Sequence, residues 1–425
     1  MNKLLVFITF LLITEVNSNS QGWEVLNSNV TTNLYGVDFI DYNTGIVCGL
    51  SGTMIKTTNS GLVWFNSNSG LSASLYDVEF VNDFVGFCCG TSGIFKTTNS
   101  GLNWFSVLSG LQINEIEIIT LDIIYAGGFS GVYKSTNQGL NWNNTTTGYS
   151  GQTWGLHFID ENTGYAMGSA ASTRKTTNGG LNWFGGLPWF PGEYTFNECH
   201  FFNSGTGFVL YSSVIPPPNS SQTGGIYKAN SMNSFVLVWS AANRSLGGLT
   251  FTGTDTAYAV GGGLSGTAYV AIILQSIDGG DTWSAQQTNF INQSMNDLCF
   301  LDSKFGFAVG RAGTIIKTQT GGVNSVNLVN ENIPESFSLS QNYPNPFNPS
   351  TKILFSIPFV ETTQRVVSLK VYDALGREVT TLVNQQLSPG TYQVEWNASN
   401  YTSGLYFYKL TSGDFAETKK MILIK

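Results

Sequence analysis

Seven side chains recur at one position of a repeated strand: Asp38, Glu79, Glu117, His157, His200, Thr250 and Cys299. Both histidines of the 425-residue chain fall in this set. Carboxyls beside imidazoles are the usual means of moving protons, and a His/Asp/Glu/Cys cluster is a usual donor set for a transition metal. The plainer reading is a polar ring that lines a wet channel, because such clusters perturb one another without catalysing anything. The spacing completes no recognised ligand pattern, so no metal, cofactor or catalytic residue is assigned. A second group, Trp189, Phe190, Tyr194, Arg244 and Arg311, combines flat apolar rings with cations, as suits a sugar or a protein surface.

What must position these residues is a repeat of about 40 residues. Residues 56–64 read KTTNSGLVW, 96–104 KTTNSGLNW, 134–142 KSTNQGLNW, 175–183 KTTNGGLNW and 275–283 QSIDGGDTW. A degraded copy lies between Lys228 and Trp239, and KTQTGG at 317–322 stops without its Trp. A second block precedes them, as in VDFIDYNTGIVCG (37–49) and LCFLDSKFGFAVG (298–310). This period suits four short strands per unit, a propeller spacing. Asn or Asp followed by Gly supplies the tight turn between the third and fourth strands, and the Trp packs between units.

Counting third-strand positions (Lys56, Lys96, Lys134, Lys175, Lys228, Gln275, Lys317) predicts seven blades. The last unit lacks its Trp, and an unmatched Gly22-Trp23 precedes the first. The N-terminal strand is therefore expected to complete the seventh blade and remove two exposed sheet edges. The first strand of each unit should be innermost, which brings the seven polar positions to a central channel. Three insertions break the repeat: 185–197, 212–224 and 262–269. All are expected on the face opposite the Asn/Asp turns, over blades four to six, where they present Trp189, Phe190 and Tyr194; Arg244 and Arg311 are expected on other connections of the same face.

These blocks resemble Asp-box (BNR-type) repeats, and SIDGGDTW at 276–283 fits that pattern directly. With the G-x-x-x-G strand they are similar to photosystem II assembly and stability factors and their non-photosynthetic relatives, over residues 22–322. Nothing in the sequence points to photosynthesis. Some Asp-box relatives are sialidases or glucanases, so a secreted glycoside hydrolase is the alternative to a non-enzymatic binding module. Sialidase-like chemistry needs an arginine cluster with a Tyr and acids. The repeat region has only Arg174, Arg244 and Arg311.

Residues 1–20 read as a signal peptide: a short n-region at Met1–Lys3, an apolar run from Leu4 to Thr14, and small residues before Gln21. No stretch is apolar for the roughly 20 residues that a membrane-crossing helix requires. The five cysteines cannot all pair internally, and Cys48 and Cys89 are expected to be core residues. The net charge of −8, with 11% charged residues, excludes nucleic acid as a partner, since phosphate contacts need clustered Lys and Arg.

A polar linker is expected over 323–335. Beyond it, short alternating runs predict an immunoglobulin-like sandwich over 336–425. NYPNPFNPST (342–351), VYDALGREV (371–379), LSPGTY (387–392) and SGLYFYKL (403–410) resemble the type A sorting domain of type IX secretion. The positions that carry this likeness are Asn345, Pro346, Gly376, Gly390, Gly404 and Lys409. The resemblance implies export through that machinery from a Bacteroidetes- or Ignavibacteria-like cell, with secretion or surface anchoring. An extracellular protein or glycan is the expected partner.

Overall fold

In the computed structural model the described residues are 22–425, apart from 68, 147–151, 170–172, 186–193, 204, 215–221, 232–233, 266–267, 287, 289–290, 323–325, 331–332, 360–365, 388 and 399–400. The fold is all-β. Its described helical structure amounts to short 3-10 turns such as Leu50–Gly52 and Arg311–Gly313. The strands form four-stranded antiparallel sheets. Up to Thr318 each sheet is a meander whose first strand is Leu34–Phe39, Leu75–Phe80, Ile113–Ile118, Thr153–Phe158, Tyr194–Phe201, Arg244–Phe251 or Met295–Phe300. These first strands lie side by side in chain order, and Met295–Phe300 packs back against Leu34–Phe39.

The closure expected from Gly22-Trp23 takes a definite form. Glu24–Leu26 pairs with Ile315–Thr318, with Glu24 opposite Lys317 and Leu26 opposite Ile315. Trp23 is buried, and its ring meets Phe300 edge-on at 5.8 Å. Trp64 meets Phe39 in the same manner at 6.1 Å, and Trp183 meets Phe158 at 6.0 Å.

The repeated letters have a common packing logic. The Phe that ends each of several first strands lies over the Gly that opens the second strand, and a Cβ at Gly45 would stand 2.5 Å from the Phe39 ring. The same Phe stacks on an aromatic of the preceding sheet: Phe39 on Phe307 at 3.8 Å, Phe158 on Tyr125 at 3.6 Å, Phe201 on Tyr165 at 3.7 Å. The third-strand lysine sits over that aromatic and donates to a carbonyl in the next sheet's turn. Lys134 Nζ is 5.0 Å from the Tyr125 ring and 2.9 Å from Gly179 O, and Lys317 Nζ is 3.0 Å from Ser60 O. The turn is held from within: Asn59 Oδ1 accepts from Val63 N and Thr57 Oγ1 accepts from Gly61 N, both at 2.9 Å, with Gly61 at φ +79°. Asn serves as well as Asp because only a carbonyl-type acceptor is required.

The insertions differ from the expected loops. Gly207–Val214 pairs with Gln222–Ser231, and Ala257–Ser265 with Ala268–Ser276, so both are lengthened hairpins. Likewise Tyr194–Asn197 is the start of a first strand. Extending a ladder satisfies backbone N–H and C=O groups that a loop of that length would leave to water. The degraded repeat also forms a long hairpin, Gln222–Ser231 with Ser234–Ala242.

Part of the expected linker is structured. Val326–Asn330 forms a strand beside Gly390–Asn397, which also pairs with Ser350–Ile357; Ser338–Leu339 completes that sheet. A second sheet runs Glu378–Gln386, Val366–Asp373, Gly404–Ser412, Phe415–Leu423. One apolar cluster, including Ile353, Phe355, Leu369, Val394, Trp396 and Tyr408, draws on both sheets. All five cysteines are free, and Cys48 and Cys88 share one core cluster while Cys89 lies in the next.

Candidate functional site

Every first strand carries a register shift at the same place, between Leu34 and Gly36, Leu75 and Asp77, Ile113 and Glu115, and so on to Met295 and Asp297. A bulge re-aims the extra side chain. Here Tyr35, Tyr76, Asn114, Trp154, Asn197 and Asn296 face a central cavity of about 570 Å³. They form its outermost layer, at the strand starts. Asp77, Glu115, Glu198 and Asp297 follow one residue later, and Asp38, Glu79, Glu117, His157, His200, Thr250 and Cys299 follow two residues beyond that layer. The sequence reading found the inner layer and missed the middle one. The signal was present, because i and i+2 of a strand share a face, as in Asp77/Glu79 and Glu115/Glu117.

Many of these groups bridge to the next first strand. Asp38 Oδ2 accepts from Phe80 N at 2.8 Å, Asp77 Oδ2 from Ile116 N at 2.8 Å, Glu79 Oε2 from Ile118 N at 3.0 Å and Glu117 Oε1 from Phe158 N at 3.3 Å. Asp297 Oδ2 closes the circle on Val37 N at 2.8 Å. His157 Nδ1 accepts from Phe201 N at 3.3 Å, which places its ring proton on Nε2. In the outer layer, Asn114, Asn197 and Asn296 donate to Thr153 O, Leu246 O and Leu34 O at 2.7, 2.8 and 2.6 Å. First strands of neighbouring sheets share no ladder, so their inner-edge N–H groups need such acceptors.

Burial dominates the titration of the channel. It raises Asp38 and Asp77 to about 6, and Glu117 and Asp297 to about 8, against the lowering effect of the backbone N–H groups they accept from. Glu115 and Glu198 are pushed up by burial first, then by each other or their carboxyl neighbours. Burial drives His157 down to about 3 and His200 to about 4, so both are neutral near pH 7. The His157 and His200 rings lie 4.5 Å apart, and His200 stacks on Phe251 at 4.8 Å. Among the described residues, no three His, Cys, Asp or Glu side chains are grouped to hold a metal ion.

A second cavity of about 420 Å³ adjoins the channel mouth and shares Ser245, Gly247 and Asn296 with it. Arg311 and Tyr269 stand at its wall, with the guanidinium 5.0 Å from the ring centre. Arg244, expected beside Arg311 as a ligand group, instead staples a hairpin: Nη1 donates to Asn243 O and Leu264 O at 3.0 and 2.8 Å. Tyr194, expected on an exposed loop, is half-buried and packs edge-on against Tyr211 at 5.2 Å. Trp189 and Phe190 lie outside the described residues.

In the C-terminal part, Asn345 Oδ1 accepts from Ile422 N at 2.9 Å, and Pro346 precedes the buried Phe347. Gly376 occupies φ +78° in a turn where Asp373 accepts from Leu375 N and Arg377 N and pairs with the Arg377 guanidinium at 2.7 Å. Gly390 and Gly404 open strands, and Lys409 lies between Lys370 and Thr418.

Residues 341–425 match the family model of the secretion system C-terminal sorting domain. Residues 15–156 match that of the photosynthesis system II assembly factor YCF48. No curated protein matches the chain. Among solved structures, a YCF48 bound to D1 peptide is 17% identical with a TM-score of 0.55, over 70% of this chain and 97% of that one. YCF48 from Cyanidioschyzon merolae is 15% identical with a TM-score of 0.53, over 70% and 98%. An ancestral GH74 enzyme, at 13% identity and a TM-score of 0.42 over 94% and 63%, bears on neither fold nor reaction. The YCF48 likeness is one of fold, and the sorting tail supports secretion or surface export.

Proposed function

We infer that the chain is a secreted or cell-surface binding module: a seven-bladed propeller over residues 21–322, joined to an immunoglobulin-like sorting domain that engages the type IX secretion machinery. The circle of sheets before Thr318, with Glu24–Leu26 completing the last, supports the blade count. The observation that carries the binding role is the joined concave surface at the strand starts. There Tyr35, Tyr76 and Trp154 rim the channel, and the Arg311 pocket opens beside it through Ser245, Gly247 and Asn296. Rims of aromatics and amides around a concavity suit a glycan or an extended protein segment.

Binding is favoured over hydrolysis because five channel carboxyls are already acceptors for neighbouring backbone N–H groups. A general acid or nucleophile must instead be free to reach substrate. The test is a glycan array and an extracellular-protein capture with the full chain, repeated with Trp154→Ala and Tyr76→Ala. Retention of ligand that weakens at least tenfold in both variants, without turnover, supports the reading. Turnover of a glycan that disappears in Glu115→Gln, or binding indifferent to both aromatic changes, refutes it.

A further inference from the structure

The pocket beside the channel mouth is electrostatically unlike its surroundings. The chain carries a net charge of −8, and the channel bears carboxyls in two layers. Among the described residues no Asp or Glu lines the adjoining pocket, and its charged side chain is Arg311. Arg311 is exposed and makes no ion pair among the described residues. Its guanidinium is seated on the Tyr269 ring at 5.0 Å. A cation held over an aromatic ring spends no N–H donor on that contact, and a guanidinium so placed can receive a carboxylate through two parallel hydrogen bonds.

The other polar side chains of the wall are neutral hydrogen-bonding groups: Asn243, Ser245, Ser294 and Asn296. Asn296 uses Nδ2 on Leu34 O and keeps its carbonyl oxygen as an acceptor. Hydroxyls and amides that both donate and accept match sugar hydroxyls. A peptide would bring apolar side chains, for which this wall offers little beyond Leu264, the Tyr269 ring and Met295, which is itself only 2% exposed.

We propose that this pocket binds an acidic saccharide, with Arg311 pairing to the carboxylate of a uronic acid unit while Ser245, Ser294 and Asn296 engage its hydroxyls. The proposal rests on the binding reading above and names the ligand class of that surface. The cavity of about 420 Å³ has room for one or two sugar units, and its shared wall with the channel leads the next units toward the rim aromatics.

Titration calorimetry with the full chain tests it, using tetragalacturonate, tetramannuronate, the carboxyl-reduced counterpart of each, and a glutamate-rich heptapeptide. At least one acidic tetrasaccharide binds, its reduced counterpart binds at least tenfold more weakly, and affinity falls as NaCl rises. Arg311→Gln weakens acid binding about ten- to hundredfold, and Arg311→Lys weakens it less because the charge persists without the fork. Both variants keep the thermal midpoint of the parent chain, since the side chain is exposed. Equal binding of acid and reduced forms, or unchanged affinity in Arg311→Gln, overturns recognition of the carboxylate and leaves the binding reading standing. Preference for the peptide overturns the saccharide class, and silence from every probe overturns the proposal. The wider reading falls on its own outcomes instead: indifference of a captured ligand to Trp154→Ala and Tyr76→Ala, or glycan turnover that disappears in Glu115→Gln.

Discussion

Trp23→Ala is the sharpest test of how the circle of sheets is closed. The indole is 1% exposed, packs edge-on to Phe300 at 5.8 Å and donates from Nε1 to Gln286 Oε1 at 2.5 Å. An aromatic of this type buries roughly 150–250 Å², and at about 25 cal/mol per Å² its transfer contributes about 4–6 kcal/mol as an upper bound. Loss of the neutral hydrogen bond adds about 1 kcal/mol. Gln286 keeps other bonds, from Nε2 to Gly321 O and Gln275 Oε1, so it is not left without partners. Partial collapse of the cavity brings the expected cost to about 3–5 kcal/mol. Urea unfolding followed by tryptophan fluorescence and circular dichroism measures it. A double-mutant cycle of Trp23→Ala with Phe300→Leu should give a coupling of about 0.5–1.5 kcal/mol, and a cycle with Phe39→Leu should give none. A cost below about 1 kcal/mol, or equal coupling to both phenylalanines, would refute closure by the N-terminal strand.

The raised channel carboxyls make stability depend on pH. Their folded pKa values exceed the unfolded ones, so their contribution is complete below about pH 4 and is lost as pH rises through about 8 for Glu117 and Asp297. The depressed histidines act oppositely, below pH 6.5, so the clean window is 6.5–8.5. There the unfolding free energy should fall by up to about 1.4 kcal/mol per pH unit per retained proton, and Glu117→Gln should flatten the slope; an unchanged slope contradicts the assignment. Gly164→Val tests the stacking logic, because a Cβ there would stand 2.4 Å from the Phe158 ring. A loss of at least about 1–3 kcal/mol is expected in the same urea assay, and a neutral result would show that the ring is free to move aside.

Much of this protein is written locally. The turn chemistry of Thr57, Asn59 and Gly61 involves residues within four positions, so the repeat and its hairpins are legible by eye. The Gly45–Phe39 and Lys134–Tyr125 relations recur with the repeat, and Trp23 could be matched to a missing partner because every other unit showed what was missing. The C-terminal motifs are equally explicit, and their turns, as at Asp373–Arg377, are again local.

What the sequence left undecided depends on groups brought together from distant segments. The bulge that turns Tyr35, Tyr76 and Trp154 into the channel mouth costs one residue of register and leaves no composition signature. Whether a carboxyl is a free acid or an acceptor for the next strand's N–H is settled only when the two strands meet, 39–42 residues apart for Asp38, Asp77 and Glu79. The two arginines that looked alike in sequence part company for the same reason. Arg244 folds back onto Asn243 O and Leu264 O within its own hairpin, whereas Arg311 reaches across to the Tyr269 ring and makes no ion pair among the described residues. Periodicity determined the sheets; packing between them decided which of the polar side chains are bonded to a neighbouring strand and which stand open at the channel mouth.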